Sequence, residues 1–110
     1  MSSLSDWFIV ECDDEKILVK IIEPGTPSKT EILWKEIIRV CYKTGCFLES
    51  DEIFIFVKHR LESYLIPTEA FGAIDLWGEI IERGLFEAKH AVRAVMAEDN
   101  TVTCWPSLNQ

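Results

Sequence analysis

The most reactive side chains in this sequence are its four cysteines. Cys41 and Cys46 form the only close pair, and four residues separate them. Redox and zinc pairs usually have two residues between the cysteines, and no second close pair completes a tetrahedral zinc set. Cys12 and Cys104 stand far from both. We therefore predict free thiols that are buried and inert.

Histidines are the next candidates for chemistry. A hydrolytic nucleophile needs a base beside it, and His59 and His90 are the two histidines available. His59 falls in a predicted hairpin turn and His90 on a predicted helix beside Lys89, which favours surface positions for both. A zinc site that combined them with the cysteines is the alternative, but its ligands would come from scattered elements.

Carboxylates are plentiful but poorly placed for catalysis. The acidic triplet at 13–15 lacks the longer, regular ligand intervals and the turn glycine of a calcium loop, so we predict a solvated turn. Glu36 is flanked by Trp34 and Ile37, an arrangement too common to identify a general acid. The sequence has no Gly-rich phosphate loop and no G-x-S-x-G or H-E-x-x-H motif. We predict that the protein is not an enzyme and uses no cofactor and no metal.

Length and charge limit the class of protein. The chain has 110 residues, which suits a single domain over 1–110 with an independent core. Its 19 acidic and 11 basic residues give a formal net charge of -8. Because there is no cluster of Lys and Arg to bind a phosphate backbone, we expect no nucleic-acid partner. The negative charge favours a basic partner.

The start of the chain and its apolar runs bear on location. Residues 1–6 have neither a basic patch nor a long apolar stretch, so we expect no secretory signal. No apolar run approaches the ~20 residues that a membrane helix needs. We expect no membrane association and a cytoplasmic location.

The first part of the chain is predicted to form a hairpin. Residues 7–12 and 17–22 are apolar runs rich in β-branched and aromatic side chains, and the polar quartet 13–16 is the predicted turn. Neither face of this hairpin is plainly polar. The loop at 23–29 contains two prolines and a glycine and is the best place for a recognition loop.

The next segment has two interpretations. Residues 30–33 and 38–43 favour strands joined by a tight helical turn at 34–37. The alternative is a helix over 32–41, because its apolar residues also recur at helical spacing. We prefer strand, turn, strand.

A second hairpin is predicted from residues 51–58 and 63–66. The first run is β-branched and aromatic with charges only at its ends, and Pro67 stops the second run because it cannot donate to a ladder. Side chains alternate between the faces of a strand, so Phe54 and Phe56 lie on the face opposite the isoleucines between them. Both faces are apolar, as in a strand that is covered on both sides.

A helix is predicted after Pro67. Thr68 is the predicted N-cap, Glu69 lies favourably in the first turn, and Gly84 is the predicted left-handed C-cap. The predicted apolar stripe consists of Ala70, Ile74, Trp77 and Ile81, widened by Phe71, Ala73 and Ile80.

Three residues of this helix are predicted to meet the sheet. Gly72 and Gly78 each cost up to about 1 kcal/mol in a helix interior, so we interpret them as points of close approach. Trp77 is expected to cover one sheet face near Ile53 and Ile55 as packing, not as a ligand platform.

The last part of the chain is predicted to contain a second helix over 87–98, with Ala88, Ala91, Val92, Val95 and Met96 on its apolar side. Residues 101–105 alternate like a short edge strand that Pro106 stops.

One face of the sheet has no obvious cover. If it stays open, Trp7, Ile9, Phe54 and Phe56 form an exposed apolar patch, and these four residues are our candidate interface.

The stretch 33–40 resembles a known type of domain. Trp34, Ile37 and Val40 recur at intervals of three, after a hairpin and before a strand hairpin and a helix. This order is similar to small bacterial domains of pleckstrin-homology-like shape, many of them uncharacterised, over about residues 6–84. The resemblance implies a bent antiparallel sheet capped by a helix and used for binding instead of chemistry. This sequence adds a second helix and an extended tail.

These observations predict an α+β fold, a bent antiparallel sheet (a half-barrel) with two C-terminal helices. Residues 6–66 are mainly β, 68–98 helical and 99–110 an extended tail. The leading functional hypothesis is a small acidic domain that binds another protein, such as an immunity-type or regulatory module that masks a basic partner. The alternatives are a small-molecule binder with a cavity between sheet and helices, and a homodimer that pairs its spare apolar sheet face.

Overall fold

The computed structural model describes residues 6–22, 25, 27–46 and 49–106. Residues 23, 24 and 26 of the predicted recognition loop and residues 107–110 of the predicted tail lie outside them. The described residues form two α-helices, α1 (Ala73–Glu82) and α2 (Ala88–Val95). They also form seven strands, which are β1 (Phe8–Cys12), β2 (Lys16–Ile21), β3 (Ser28–Leu33), β4 (Ile37–Lys43), β5 (Glu52–Val57), β6 (Tyr64–Pro67) and β7 (Val102–Trp105).

The strands build two antiparallel sheets, in the orders β1-β2-β3 and β6-β5-β4-β7. A 3₁₀ turn at Trp34–Glu36 passes the chain from β3 to β4, and so from the first sheet to the second. The predicted strand, turn, strand is therefore confirmed, and the helix alternative over 32–41 is wrong. The α+β class is confirmed, with the strands divided over two sheets.

The first sheet has one buried face and one charged face. Alternating side chains bury one face, which contains Phe8, Val10, Ile17, Val19 and Ile32. On the other face, Lys16 lies 3.1 Å from Glu31 and Lys20 lies 3.2 Å from Glu11. Both pairs join neighbouring strands. The first sheet therefore has a solvent-exposed charged face, which the apolar composition of its first two strands did not indicate.

The turn between β1 and β2 is anchored at Asp13. Its carboxylate Oδ1 accepts hydrogen bonds from the backbone N–H groups of Glu15 and Lys16, at 2.8 and 2.9 Å. The acidic triplet is exposed, so the predicted solvated turn is confirmed. The indole Nε1 of Trp34 donates to the Asp13 carbonyl at 2.7 Å, and the Arg83 guanidinium lies 4.3 Å above the Trp34 ring. The turn is thereby tied to the end of α1.

The second sheet buries the face that carries Ile53, Ile55 and Val57. Phe54 and Phe56 point to its other face and are half-buried. The prediction of β5 as a strand with two apolar faces is confirmed, but only one of these faces is in the core.

A disulfide joins Cys41 on β4 to Cys104 on β7. The two residues are direct partners in the ladder between these strands. The prediction of free thiols is wrong for this pair and confirmed for Cys12 and Cys46, but the predicted burial of these two is wrong, since Cys12 is exposed and Cys46 is half-buried. Sequence spacing missed the bond because 63 residues separate its ends, and the return of the chain as β7 brings them together.

α1 begins later than predicted. The backbone of Phe71 exchanges two hydrogen bonds with β1, to the Phe8 carbonyl at 2.9 Å and from the Val10 N–H at 2.7 Å. Because these bonds hold residue 71 beside the strand, the helix starts at Ala73 with Gly72 as its N-cap. Thr68 is not the N-cap, since its hydroxyl donates to the Asp51 carbonyl.

The two helical glycines differ. Gly72 has a φ of 86°, and a Cβ there would lie 2.1 Å from the Val10 carbonyl oxygen, so the predicted close approach to the sheet is confirmed. At Gly78 a Cβ would meet nothing within 4 Å, and the prediction is wrong. Gly84 has the predicted left-handed conformation, with a φ of 76°, directly after the C-cap Arg83, and the Leu85 N–H donates to the Ile80 carbonyl.

The buried stripe of α1 also differs from the prediction. Ala73, Leu76 and Ile80 are buried, whereas Ile74 is 67% exposed. The Phe71 pairing with β1 fixes which side of the helix faces the sheet. Trp77 lies beside the ring of Tyr42, which is opposite Ile53 in the ladder, so the indole covers the predicted part of the sheet.

α2 is shorter than the predicted 87–98 because the chain turns after it. Thr44, which is buried, donates to the Glu98 carbonyl and accepts from the Thr101 N–H at 2.9 Å. These bonds hold the turn that precedes β7. β7 is an edge strand, as predicted, and it pairs with β4.

Candidate binding groove between the two helices

The two helices lie mainly against different sheets, although Trp77 of α1 also reaches Tyr42 of the second sheet, and an open groove lies between them. α1 contacts β1, whereas α2 contacts β4 and β7. The groove has a volume of about 450 Å³. We call it the helical groove, and it is lined by Trp77, Ile81, Ala88, Ala91, Val92, Val95 and Met96.

Aromatic packing fixes Trp77 on the α1 side of the groove. Its ring centroid lies 4.9 Å from that of Tyr42 and 5.0 Å from that of Phe86. Tyr42 and Phe86 are both buried, so the indole is held from below while one side of it faces the groove. Rings at these distances and tilts attract one another beyond simple area burial.

The α2 wall has apolar side chains that the described part of the chain leaves largely uncovered. Ala91 and Ala94 point into the core. Val92, Val95 and Met96 continue the apolar side around the helix and are 61%, 44% and 80% exposed. Each Å² of apolar surface left in water forgoes about 25 cal/mol. The outer part of the apolar side of α2 is therefore available for a partner.

The α1 wall extends the apolar surface outward. Trp77 and Ile81 line the groove, and helical spacing places Ile74 and Gly78 on the same side of α1. Ile74 is largely exposed, and the space above Gly78 is open. The wall is therefore apolar with a notch at the glycine.

The solvent sides of the two helices carry opposite charges. α1 presents Asp75 and Glu82, and α2 presents Lys89 and Arg93, all four of them exposed. None of them belongs to an ion pair within the part of the chain that the structure describes. An acidic rim and a basic rim thus flank the apolar groove.

The four residues of the predicted interface lie elsewhere, in two separate pairs. Ile9 belongs to β1 and bridges to Phe71, and Trp7 directly precedes this strand and packs against the core. Phe54 and Phe56 lie on the outer face of the second sheet. All four are half-buried, whereas Met96 is 80% exposed and, on the helices, Ile74 and Val92 are 67% and 61% exposed.

Sequence reasoning found the apolar residues of α2 but not their exposure. The predicted stripe already included Val92, Val95 and Met96. On a helix of eight residues, five apolar positions, followed directly by Met96, make a stripe wider than one packing surface covers. The width of this stripe was the feature of the sequence that could have predicted the exposure.

The cysteine and histidine side chains that were considered for catalysis or metal binding are dispersed over the fold. The Cys12 thiol is exposed, and partial desolvation together with the Glu79 carboxylate raises its pKa, which disfavours the reactive thiolate. His59 lies in the exposed turn after β5, and His90 packs on the Trp105 ring with its Nδ1 3.1 Å from Glu87. Within the described ranges, no three His, Cys, Asp or Glu side chains are grouped to hold a metal ion.

Comparisons with protein-family models, with curated proteins and with solved structures find no match to this chain. The resemblance to domains of pleckstrin-homology-like shape therefore stays a prediction. Among the described residues, neither helix is long and apolar enough to cross a membrane.

Proposed function

We propose that this chain is a protein-interaction domain that binds a polypeptide in the helical groove. The observation that supports this proposal is the exposed apolar wall of α2, above all Val92 and Met96, beside the indole of Trp77. Contiguous apolar surface of this kind mostly marks an interaction site.

The dimensions of the groove suit a helical segment of the partner. α2 has eight residues, which at 1.5 Å per residue gives a wall of about 12 Å, a little over two helical turns. An amphipathic helix fills such a groove with apolar side chains spaced three and four residues apart. Bulky side chains such as Met96 contribute because they adapt to the shape of the partner.

The net charge of -8 adds an electrostatic preference. Carboxylates over the rest of the surface favour a partner with basic residues beside its apolar segment. Binding of such a partner is expected to weaken as salt rises, because exposed charges are screened over about 10 Å at 0.1 M salt. This keeps an immunity-type or regulatory module as the leading functional class.

A small apolar ligand is the second candidate. The groove volume of about 450 Å³ lies within the range of ligand pockets. A pocket of that kind buries most of its ligand, whereas the Met96 side chain is 80% exposed. A compound that raised the melting temperature of the wild type but not of Met96→Glu would favour this candidate.

Affinity capture with a matched pair of variants tests the proposal. Tagged wild type, Met96→Glu and Leu61→Glu are used as baits in an extract of the source cells at low and high salt. Leu61 is a control because it is fully exposed in the β5–β6 connection and lies outside the groove. We expect a protein captured by wild type and Leu61→Glu to be lost from Met96→Glu, with about tenfold or more weaker binding.

The capture experiment can also contradict the proposal. If all three baits recover the same proteins in the same amounts, the groove is not the binding surface. If the captured protein depends on the groove but not on salt, the groove stands and the basic partner is wrong.

A further inference from the structure

We propose that the polypeptide that fills the helical groove is a second copy of this chain, in a twofold-symmetric dimer. This inference rests on the proposed function, because it names the partner of the same groove. Although each copy carries a net charge of -8, it has basic residues, Lys89 and Arg93, beside its apolar segment, as the proposed function requires of the partner. Two independent features support it, one of charge and one of shape.

The charge feature is the pair of opposite rims. A twofold axis that runs along the groove places α1 of one copy over α2 of the other. Asp75 and Glu82 of each copy then face Lys89 and Arg93 of its partner. A twofold axis across the groove would instead place the acidic rim of one copy on the acidic rim of the other. The charges therefore favour the axis that runs along the groove.

The two basic rim charges repel each other within a single chain, although Arg93 lies in the last turn of α2, where the helix dipole favours a cation. Lys89 and Arg93 are four residues apart on one helix side, where like charges repel. Lys89 also stands in the first turn of α2, where the helix dipole disfavours a cation. Neither has an ion-pair partner among the described residues. An acidic rim on a second copy offsets both costs.

The shape feature is a ridge and a notch. Val92 and Met96 project from α2, and Gly78 leaves open space on α1. The same axis that pairs the rims brings the α2 ridge of one copy to the α1 notch of the other. Gly78 makes no close approach to the sheet, so packing inside the chain does not explain why this position lacks a side chain. Space for the ridge of a second copy does explain it.

Size measurement of reciprocal charge variants tests the dimer. Wild type, Lys89→Glu/Arg93→Glu and Asp75→Lys/Glu82→Lys are analysed by sedimentation equilibrium up to about 1 mM protein, the range in which weak dimers are seen. We expect wild type at twice the chain mass. Each charge variant alone is expected to be monomeric, since both of its rims then carry one sign. An equimolar mixture of the two is expected to regain the double mass, because every contact again joins opposite charges.

A neutral variant tests the shape feature separately. Gly78→Gln fills the notch and keeps the helix, and we expect it to weaken the dimer about tenfold or more. An unchanged dimer would overturn the seating of the ridge at Gly78. Circular dichroism and thermal unfolding show that each variant is folded, which is expected because all substituted positions are exposed.

The outcomes separate this inference from the proposed function. A monomeric wild type over the whole concentration range overturns the dimer. If Met96→Glu still abolishes capture of a different protein, the groove remains a binding site and only the partner was wrong. A wild-type dimer that every groove and rim variant leaves intact overturns the inference, because the dimer then uses another surface.

Discussion

The phenol of Tyr42 donates a 2.5 Å hydrogen bond to the carboxylate Oδ2 of Asp51. The other oxygen of Asp51 accepts the Gly45 N–H at 2.8 Å, and its backbone carbonyl accepts the N–H of Thr68 at 2.9 Å. Asp51 thereby joins the end of β4, the start of β5 and the segment after β6. Tyr42 also supports Trp77, so the network reaches the groove.

Removal of the Tyr42 hydroxyl tests this network. Tyr42→Phe is expected to lower the free energy of unfolding by about 1–2 kcal/mol near pH 7, because a buried carboxylate contact is lost. Urea unfolding measures the change. Tyr42→Leu is the comparison, and it should cost more because the ring contact with Trp77 is lost as well. Equal stability of Tyr42→Phe and wild type would contradict the role of the bond.

The same residue predicts loss of stability in alkali. Burial, aided by the Asp51 hydrogen bond, raises the pKa of Tyr42 above its ordinary value of 10.0. The unfolded chain therefore binds fewer protons than the folded chain above pH 10, and stability falls as pH rises. Urea unfolding at neutral and alkaline pH is expected to show a shallower fall for Tyr42→Phe. A fall of the same steepness in both proteins would exclude Tyr42 as its source.

Asp13 predicts the opposite behaviour in acid. Hydrogen bonds from the Glu15 and Lys16 backbone lower the pKa of Asp13, so its contribution is present at neutral pH and is lost as pH falls through the folded-state pKa. Asp13→Ala is expected to melt below wild type at neutral pH and to converge with it in strong acid. Asp13→Asn keeps a hydrogen-bond acceptor that does not titrate, so its melting temperature should depend less on pH in the acid range than that of wild type.

Three glycines predict a graded series in thermal unfolding of the dilute protein. Gly78→Ala is expected to stabilise by about 0.5–1 kcal/mol, because its Cβ meets nothing. Gly84→Ala should cost about 1–2 kcal/mol for its left-handed φ. Gly72→Ala should cost most, roughly 3 kcal/mol or more, since it adds a clash with Val10. A Gly72→Ala variant as stable as Gly84→Ala would contradict the close approach.

The disulfide predicts a redox-dependent stability. Thiol titration of the unfolded, unreduced chain should find the two thiols of Cys12 and Cys46. Reduction is expected to lower the free energy of unfolding by about 2–4 kcal/mol, because the bond closes a long loop. Cys12→Ser is the control and should leave stability unchanged. Four reactive thiols before reduction would contradict the bond. Since disulfides are rare in the reducing cytosol, the same titration on protein from its own cells tests the predicted cytoplasmic location.

The sequence alone determined the local elements. Apolar runs rich in β-branched and aromatic side chains gave the strands on both sides of the acidic turn at Asp13. Glycine chemistry gave the end of α1 at Gly84, since a left-handed residue there is a local requirement. The same local rules identified the apolar residues of α2, because their helical spacing depends only on neighbours in the chain.

The tertiary structure decided which of those surfaces are covered. The start of α1 follows from the backbone bonds of Phe71 to β1, which compete with a helix at that residue. The Cys41–Cys104 bond follows from the return of the chain as β7. Val92 and Met96 stay exposed because α2 packs on β4 and β7 through its other side, which carries the buried Ala91 and Ala94. These outcomes depend on contacts between residues distant in the sequence, and local spacing carries no information about such contacts.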